Sequence, residues 1–450
     1  MEHTIKVKVT DFRTVDSAEI VLDGITVVSG ENGCGKSTLS KLLYYAFKTV
    51  NEYELMIRQS LYVSVDAILR QVVSLREDLL AWMKKQPDMN WDDAHLDNMK
   101  KADYFSLDLG LLKEFCVSYI TTLNLFVDLN PEKFSVDQKQ FLSSFLVRVR
   151  MILLSILKEY CHTNDFSESS LEDIIDALKE IVSEQFLLAK SKLDSRNIEM
   201  LDAVFSRSFA GQVIKDKFNL YEYGACITDR KLNRVLNLSS IERVLYMDTP
   251  MAVGLDTGFS HWRELNEILR STAYSGLVRE EVETLLSNEI LHGNVGIDKN
   301  LTERFEYLRS DGLKINLLDC ATGIKAFAAL QLLMKNGFLN NKTLLIIDEP
   351  EAHLHPQWIV EYARLVVLLN KELGVKFFIA THNPDMVSAL KYISEKEGVL
   401  KELNFYLAEK KSTFSYTYKA LGAEIDEIFG SFNIALDRIN QYGVVEDEIL

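Results

Sequence analysis

The chain has little that would staple it, export it or hold it in a membrane. Its five cysteines, Cys34, Cys116, Cys161, Cys226 and Cys320, are scattered without a CxxC pair. That spacing argues against a disulfide framework or a zinc site and for free thiols in a reducing compartment. No basic stretch followed by an apolar one opens the chain, which runs straight into the alternating Ile5-Lys6-Val7-Lys8-Val9. No secretory leader is therefore expected, and a cytoplasmic location is. The most apolar run, Phe141 to Leu157, carries Arg148 and Arg150 in its middle, each costing about 2.5–3.5 kcal/mol at a bilayer centre. Its Phe141, Phe145, Val149, Ile152, Ile156 and Tyr160 recur at steps of three and four, the spacing of a helix buried on a wide face, so no membrane partner is expected. Basic residues are the minority, 50 against 66 acidic, for a net charge of −16. The chain as a whole repels phosphate backbones, and nucleic acid binding would need a local basic groove. Internal repeats, low-complexity segments and a sustained heptad array with a zinc hook are also missing.

What is present is a globular balance: 450 residues, 47% hydrophobic and 26% charged, enough for two or three domains. Ile5–Val9, Glu19–Leu22 and Ile25–Val28 read as strands, the last entering a glycine-rich turn and a helix from Ser37. From about 51 to 210 the pattern turns to long helical periodicity with few Gly or Pro, around Val63–Met83, Leu107–Val127, Phe141–Tyr160 and Leu171–Leu193. Strand alternation returns at Gln212–Phe218, Leu220–Ile227 and Val244–Met247, followed by helical stretches from about 260 to 291 and short strands near Val295–Ile297, Phe305–Leu308 and Leu313–Ile315. The apolar strands Thr343–Ile347 and Val375–Ala380 flank a helix from Gln357 to Glu372, the mark of a parallel sheet covered on both faces. Three blocks follow: 1–50 and 211–450 as two lobes of one α/β head, and 51–210 as a helical insertion.

Gly30-Glu31-Asn32-Gly33-Cys34-Gly35-Lys36-Ser37 fits GxxxxGK[ST] between an apolar strand and a helix. In such a loop the backbone N–H groups of Gly30 through Ser37 and Thr38 curl around phosphates. Lys36 reaches the β- and γ-phosphates of ATP, and Ser37 ligates Mg²⁺. Leu344-Leu345-Ile346-Ile347-Asp348-Glu349 delivers Asp348 to the magnesium side and Glu349 beside an attacking water. Phe377-Phe378-Ile379-Ala380-Thr381-His382 ends another apolar strand where a γ-phosphate sensor would sit. His353 and His355 also have metal-like spacing, without an apparent third and fourth ligand.

Taken together, GENGCGKST, the Asp348-Glu349-Pro350-Glu351-Ala352-His353-Leu354-His355-Pro356 segment and Ala380-Thr381-His382-Asn383-Pro384 resemble the bacterial OLD/RecF/SMC-related ABC ATPases, over roughly residues 1–50 and 240–410. That group includes the ATPase subunits of anti-phage systems such as Septu and PARIS. The resemblance implies a P-loop NTPase head of ABC type, a mixed sheet flanked by helices, carrying the large helical insertion. It further implies a homodimer with two ATP molecules sandwiched between heads and open to higher assembly, His382 as switch histidine, and Glu351 to Pro356 as the loop meeting the other subunit. The wider pattern's Ser-Gly-Gly-Gln signature corresponds here to Ala321-Thr322-Gly323-Ile324-Lys325. Thr322 and Gly323 keep a hydroxyl and one glycine, and Lys325 puts a cation where phosphate charge could be met, or on a solvent-facing helix surface. Phe12-Arg13 stands where related ATPases contact adenine or phosphate, and Gln59 is the one candidate for a Q-loop glutamine. OLD nucleases append a metal-binding TOPRIM domain; the stretch after His382 contains no Asp-x-Asp, so none is expected.

The expected activity is slow ATP hydrolysis with Glu349, His382 and Lys36 at the chemistry. It would regulate a separately encoded effector, a nuclease or toxin, in phage defence. Two alternatives stand beside it: a RecF-like DNA repair ATPase, and a scaffold that binds ATP with negligible turnover.

Overall fold

The computed structural model describes residues 4–83, 108–127, 134–160, 166, 168–248, 252–255, 260–271, 280–298 and 304–430. The chain divides into two compact units, Met1–Asn51 with Asn197–Leu450, and Glu52–Arg196. In chain order the first unit begins with β1 (Ile5–Phe12), β2 (Val15–Val21), β3 (Ile25–Ser29) and α1 (Lys36–Asn51). The second unit contains α2 (Tyr53–Met83), α3 (Leu109–Thr121), α4 (Asn124–Val127), α5 (Val136–Tyr160) and α6 (Leu171–Ser195). The first unit resumes with α7 (Glu199–Ser208), β4 (Phe218–Glu222), β5 (Ala225–Cys226), β6 (Thr228–Asp229), β7 (Arg234–Val235), β8 (Arg243–Met247), α8 (Ser260–Arg270) and α9 (Glu280–Thr284), which runs on as a π-helical turn to Ile290. It closes with β9 (Gly293–Ile297), β10 (Phe305–Arg309), β11 (Lys314–Asn316), α10 (Thr322–Lys335), β12 (Thr343–Asp348), α11 (Pro356–Leu373), β13 (Lys376–Thr381), α12 (Pro384–Lys396), β14 (Leu403–Ser412) and β15 (Ser415–Gly422).

A ten-stranded mixed sheet organises the first unit, in the order β5-β4-β1-β2-β15-β14-β3-β13-β12-β8. From β14 to β8 all neighbours are parallel, while β4-β1-β2 and β14-β15 pair antiparallel. The central parallel strands β3, β12 and β13 are mostly apolar because both of their faces are covered. Ile25, Val27, Leu345, Ile347, Phe377 and Ile379 enter one core with α8, α10, α11 and α12. Val28, Leu344, Ile346, Phe378 and Ala380 enter the other with α1 and α7. Alternation with period two, invisible as polarity, thus survives as a choice of face. α11 starts where His355 caps the Gln357 N–H and Pro356 occupies the first turn, and stops at Gly374 with φ 68°, the left-handed geometry that glycine tolerates.

In the helical unit, Ser170 and Asp173 form a reciprocal capping box at the start of α6. α5 buries Leu142, Phe145, Val149, Leu153, Ile156 and Leu157. Phe141, Val147 and Met151 stay exposed, so the buried stripe is narrower than the periodicity suggested and turned to include Leu142 and Leu153. Arg148 pairs with Asp78 of α2 at 3.1 Å. α5 is the one described helix long and apolar enough to cross a membrane.

Four features differ from the expectation. Gln212–Lys217 is a turn, because only Ile214 is buried while Val213 is 63% exposed; the alternation there has no sheet to join. α7, expected within the insertion, packs with α1 in the first unit. The β14–β15 hairpin and α12 went unread, since the tight turn at Thr413-Phe414 has none of the Asn-Gly or Asp-Gly chemistry that marks a hairpin. Cys34, Cys116, Cys226 and Cys320 are free thiols; Cys161, Leu107 and the 272–279 part of the expected helical stretch lie outside the described residues.

Ile346 is fully buried on β12. Ile346→Ala is expected to lower unfolding free energy by about 2–5 kcal/mol and Ile346→Val by about 1 kcal/mol, read as ordered shifts of the urea midpoint.

Candidate nucleotide site at the strand ends

Parallel register brings four strand ends to one edge: Ser29 pairs with Thr381, Asp348 with Ala380, and Met247 with Ile347. The loop after β3 therefore leaves at the same edge as the acidic end of β12, with the end of β13 between them, and leads into α1. Lys36, 5% exposed, folds over this loop. Its Nζ donates to the carbonyls of Gly30 at 2.9 Å and Glu31 at 3.1 Å and lies 3.9 Å from Cys34 Sγ. Gly35 has φ 105°, and a Cβ there would lie 2.8 Å from both Thr14 Oγ1 and Val15 Cγ2, so conformation and space both require glycine. Asn32 and Gly33 are exposed at the loop's crest, and Ser37 and Thr38 open α1 with Ser37 exposed.

Two tyrosines of β15 hold this loop from behind. Tyr418 Oη donates to the Cys34 carbonyl at 3.2 Å, and Tyr416 Oη to Glu31 Oε2 at 3.4 Å. Sequence reasoning missed both, having assigned no strand there. The single cue was the Tyr416-Thr417-Tyr418 alternation.

Asp348 is 6% exposed. Tyr246 of β8 donates to its Oδ2 at 3.4 Å, while Oδ1 is buried without a hydrogen bond. Burial pushes its carboxyl up from an ordinary 3.8 to about 6; the nearby Glu349 and Asp248 carboxylates push the same way, and the Ser37 hydroxyl opposes them. Asp248, just past β8, was also missed. Its Oδ1 accepts from Trp262 Nε1 at 2.6 Å and its Oδ2 lies 3.2 Å from His261 Nε2.

Glu349 has φ 52° and donates its N–H to the Ala380 carbonyl at 2.8 Å, which turns the side chain out of the strand. His382 Nδ1 lies 3.5 Å from Glu349 Oε1 and 3.4 Å from Glu351 Oε1. Of the loop from Glu351 to Pro356 that the resemblance places against a second copy, Glu351 is turned inward and buried, while His353, His355 and Pro356 are exposed. Among the described residues no group of three or more His, Cys, Asp or Glu is arranged to hold a metal ion.

α10 begins at Thr322, with Gly323 so close to the same loop that a Cβ would stand 3.2 Å from Leu354 Cδ2. Lys325 is neither solvent-facing nor free to meet an anion as it stands: 8% exposed, it donates to the Leu318 carbonyl at 2.8 Å. Arg13 lies 4.9 Å over the Phe209 ring and donates to Gln212 Oε1 at 2.8 Å, in the turn whose Thr14 abuts Gly35. Gln59 belongs to α2 of the helical unit.

A family model described as an AAA ATPase domain matches residues 4–387. Among curated proteins, the energy-coupling factor transporter ATP-binding protein EcfA2 of Clostridium perfringens is 48% identical over 44 residues, 10% of this chain and 15% of that protein. The Septu protein PtuA of Bacillus mycoides is 29% identical over 113 residues, 24% of this chain and 15% of that protein. The matched segments thus span 15% of the length of these relatives. Among solved structures, an Smc head domain with an extended coiled coil bound to the C-terminal domain of ScpA, from Pyrococcus furiosus, is 12% identical, covering 97% of this chain and 98% of that one at a TM-score of 0.33. The SMC head domain from Thermotoga maritima is 14% identical, covering 45% and 64% at a TM-score of 0.27.

Holding Asp348 ionised in this burial costs on the order of 3 kcal/mol for a pKa raised from 3.8 to about 6. The cost is absent below pH 4, where folded and unfolded forms are both protonated, grows as pH rises to 6, and is complete above it. Nucleotide-free Asp348→Asn is therefore expected to melt above wild type at pH 8, by roughly 1–2 °C per kcal/mol relieved in a chain of this size, with the gap closing at pH 4. A gap that persists at pH 4 in calorimetry contradicts the desolvation account.

Proposed function

This chain belongs to the AAA ATPase domain family, as its motif resemblance to OLD/RecF/SMC-like ABC ATPases implied, and on that premise we propose an ATP-driven switch acting in the cytoplasm. Gly30, Asn32, Gly33, Cys34, Gly35, Lys36, Ser37 and Thr38 wrap the phosphates of ATP through backbone N–H groups, with Lys36 exchanging its two carbonyl partners for phosphate oxygens. Arg13 borders the nucleotide. Ser37 and Asp348 would hold Mg²⁺. The fit rests on Asp348 Oδ1, a buried oxygen without a hydrogen bond facing a serine hydroxyl, the hard oxygen donors this ion takes. Bound there, Mg²⁺ would neutralise charge developing on the β- and γ-phosphate oxygens.

Glu349 accepts the proton of the attacking water as its oxygen bonds to the γ-phosphorus and the β-phosphate oxygen departs. Its exposed carboxylate at the strand end suits that role. His382 stands by for the γ-phosphate. Thr322 and Gly323 would face the nucleotide of a second copy, and Lys325 could join them only by giving up the Leu318 carbonyl; this gives a homodimer, and further assembly is compatible with it. The observation that carries this reading is the convergence of Lys36, Asp348, Glu349 and His382 at adjacent ends of parallel strands. Regulation of a separate effector, a nuclease or toxin in anti-phage defence, draws support from the partial match to the Septu protein PtuA; the helical unit offers the partner surface.

A scaffold with negligible turnover is the second reading, favoured by Lys325, whose Nζ is engaged by Leu318. Phosphate release and light scattering on wild type and Glu349→Gln, with and without MgATP, separate the two. The switch requires MgATP-dependent assembly and at least a ~100-fold loss of turnover in the variant. Wild type that neither turns over nor changes size with MgATP contradicts it.

A further inference from the structure

Glu351 is a carboxylate with no place in a purely structural account. Its side chain is 5% exposed, Oε1 accepts from Thr381 Oγ1 at 2.7 Å and from the His382 N–H at 3.1 Å, and Oε2 is buried with no hydrogen bond. Burying a carboxylate with one oxygen unsatisfied costs stability, and a neutral amide would keep an acceptor for both donors without burying a charge. What the carboxylate does have is His382, whose Nδ1 lies 3.4 Å from Oε1 and 3.5 Å from Glu349 Oε1.

An ionised carboxylate only accepts, so contact with either acid requires the proton on Nδ1, and Nδ1 has one proton to give. The two acids therefore compete for it. They are not equal competitors: Glu351 is pinned by two donors, whereas Glu349 is half exposed and unpinned. We infer that Glu351 is a positioning residue that holds the His382 Nδ1–H, fixing the imidazole with Nε2 outward and leaving the Glu349 carboxylate free for water. This inference rests on the ATPase reading for its catalytic consequence, but not for the hydrogen bond itself.

Two measurements test it. In ¹⁵N-histidine spectra of nucleotide-free protein, with His382→Gln for assignment, the Nδ1–H signal of His382 is expected at the same shift in wild type and Glu349→Ala, where Glu351 is the one acid left to it, and lost in the Glu349→Ala/Glu351→Met double variant. Its absence from wild type, its loss or shift in Glu349→Ala, or its retention in the double variant overturns the inference. Glu351→Gln keeps an acceptor for the Thr381 and His382 donors and so guards against misfolding. It is expected to lower kcat about tenfold or more with KM for ATP within about twofold and no loss of thermal stability; an unchanged kcat in an active wild-type background overturns the inference. Should wild type show no turnover at all, the ATPase reading fails alone, and the imidazole spectra still decide the role of Glu351.

Discussion

Everything at the candidate site depends on the parallel hydrogen-bond ladder joining β3, β13, β12 and β8. Parallel strands share a direction, so their C-terminal ends finish together, and whatever follows each strand is delivered to the same edge. The chain uses this four times: a glycine loop after Ser29, an acidic pair at Asp348 and Glu349, Thr381 with His382, and Asp248 after β8. None of these segments is near another in sequence. A one-residue slip in any pairing would exchange the two cores as well as misalign the site, so packing on both faces is what guards the chemistry.

The legible parts of this protein were those with a local signature. The P-loop, the apolar strands β3, β12 and β13, and the helix beginning at Pro356 each carry spacing, caps or runs that mean the same thing in any context. The illegible parts depend on partners distant in the chain. Tyr416 and Tyr418 look like ordinary strand residues until β15 is seen beside β2, with the glycine loop packed against it. Glu351 reads as a surface acid of a polar loop, and only the approach of β13 turns it inward. Asp248 follows a strand whose partner lies a hundred residues on, so nothing near it announces an acidic neighbour. Lys325 illustrates the reverse: a cation in a plausible place, claimed by a carbonyl seven residues earlier.

The site also concentrates electrostatic cost. Asp348, at the end of β12, and Glu351, in the loop that follows it, are both buried carboxylates with one oxygen lacking a hydrogen bond. A fold selected for stability alone would fill such positions with apolar or amide groups. Cost gathered at one edge, in an otherwise apolar double core, is how a protein keeps charges poorly solvated until a ligand arrives to meet them.

α1 leads out to the helical unit and α7 leads back from it, and the two pack side by side within the sheet unit. The chain thus departs and returns at neighbouring points, like a cable entering and leaving one junction box. Whatever length is spliced between those helices leaves the sheet's connectivity untouched. The junction separates two tasks: the block between α1 and α7 can change in length without redrawing the strand ends that carry the acidic pair and the glycine loop.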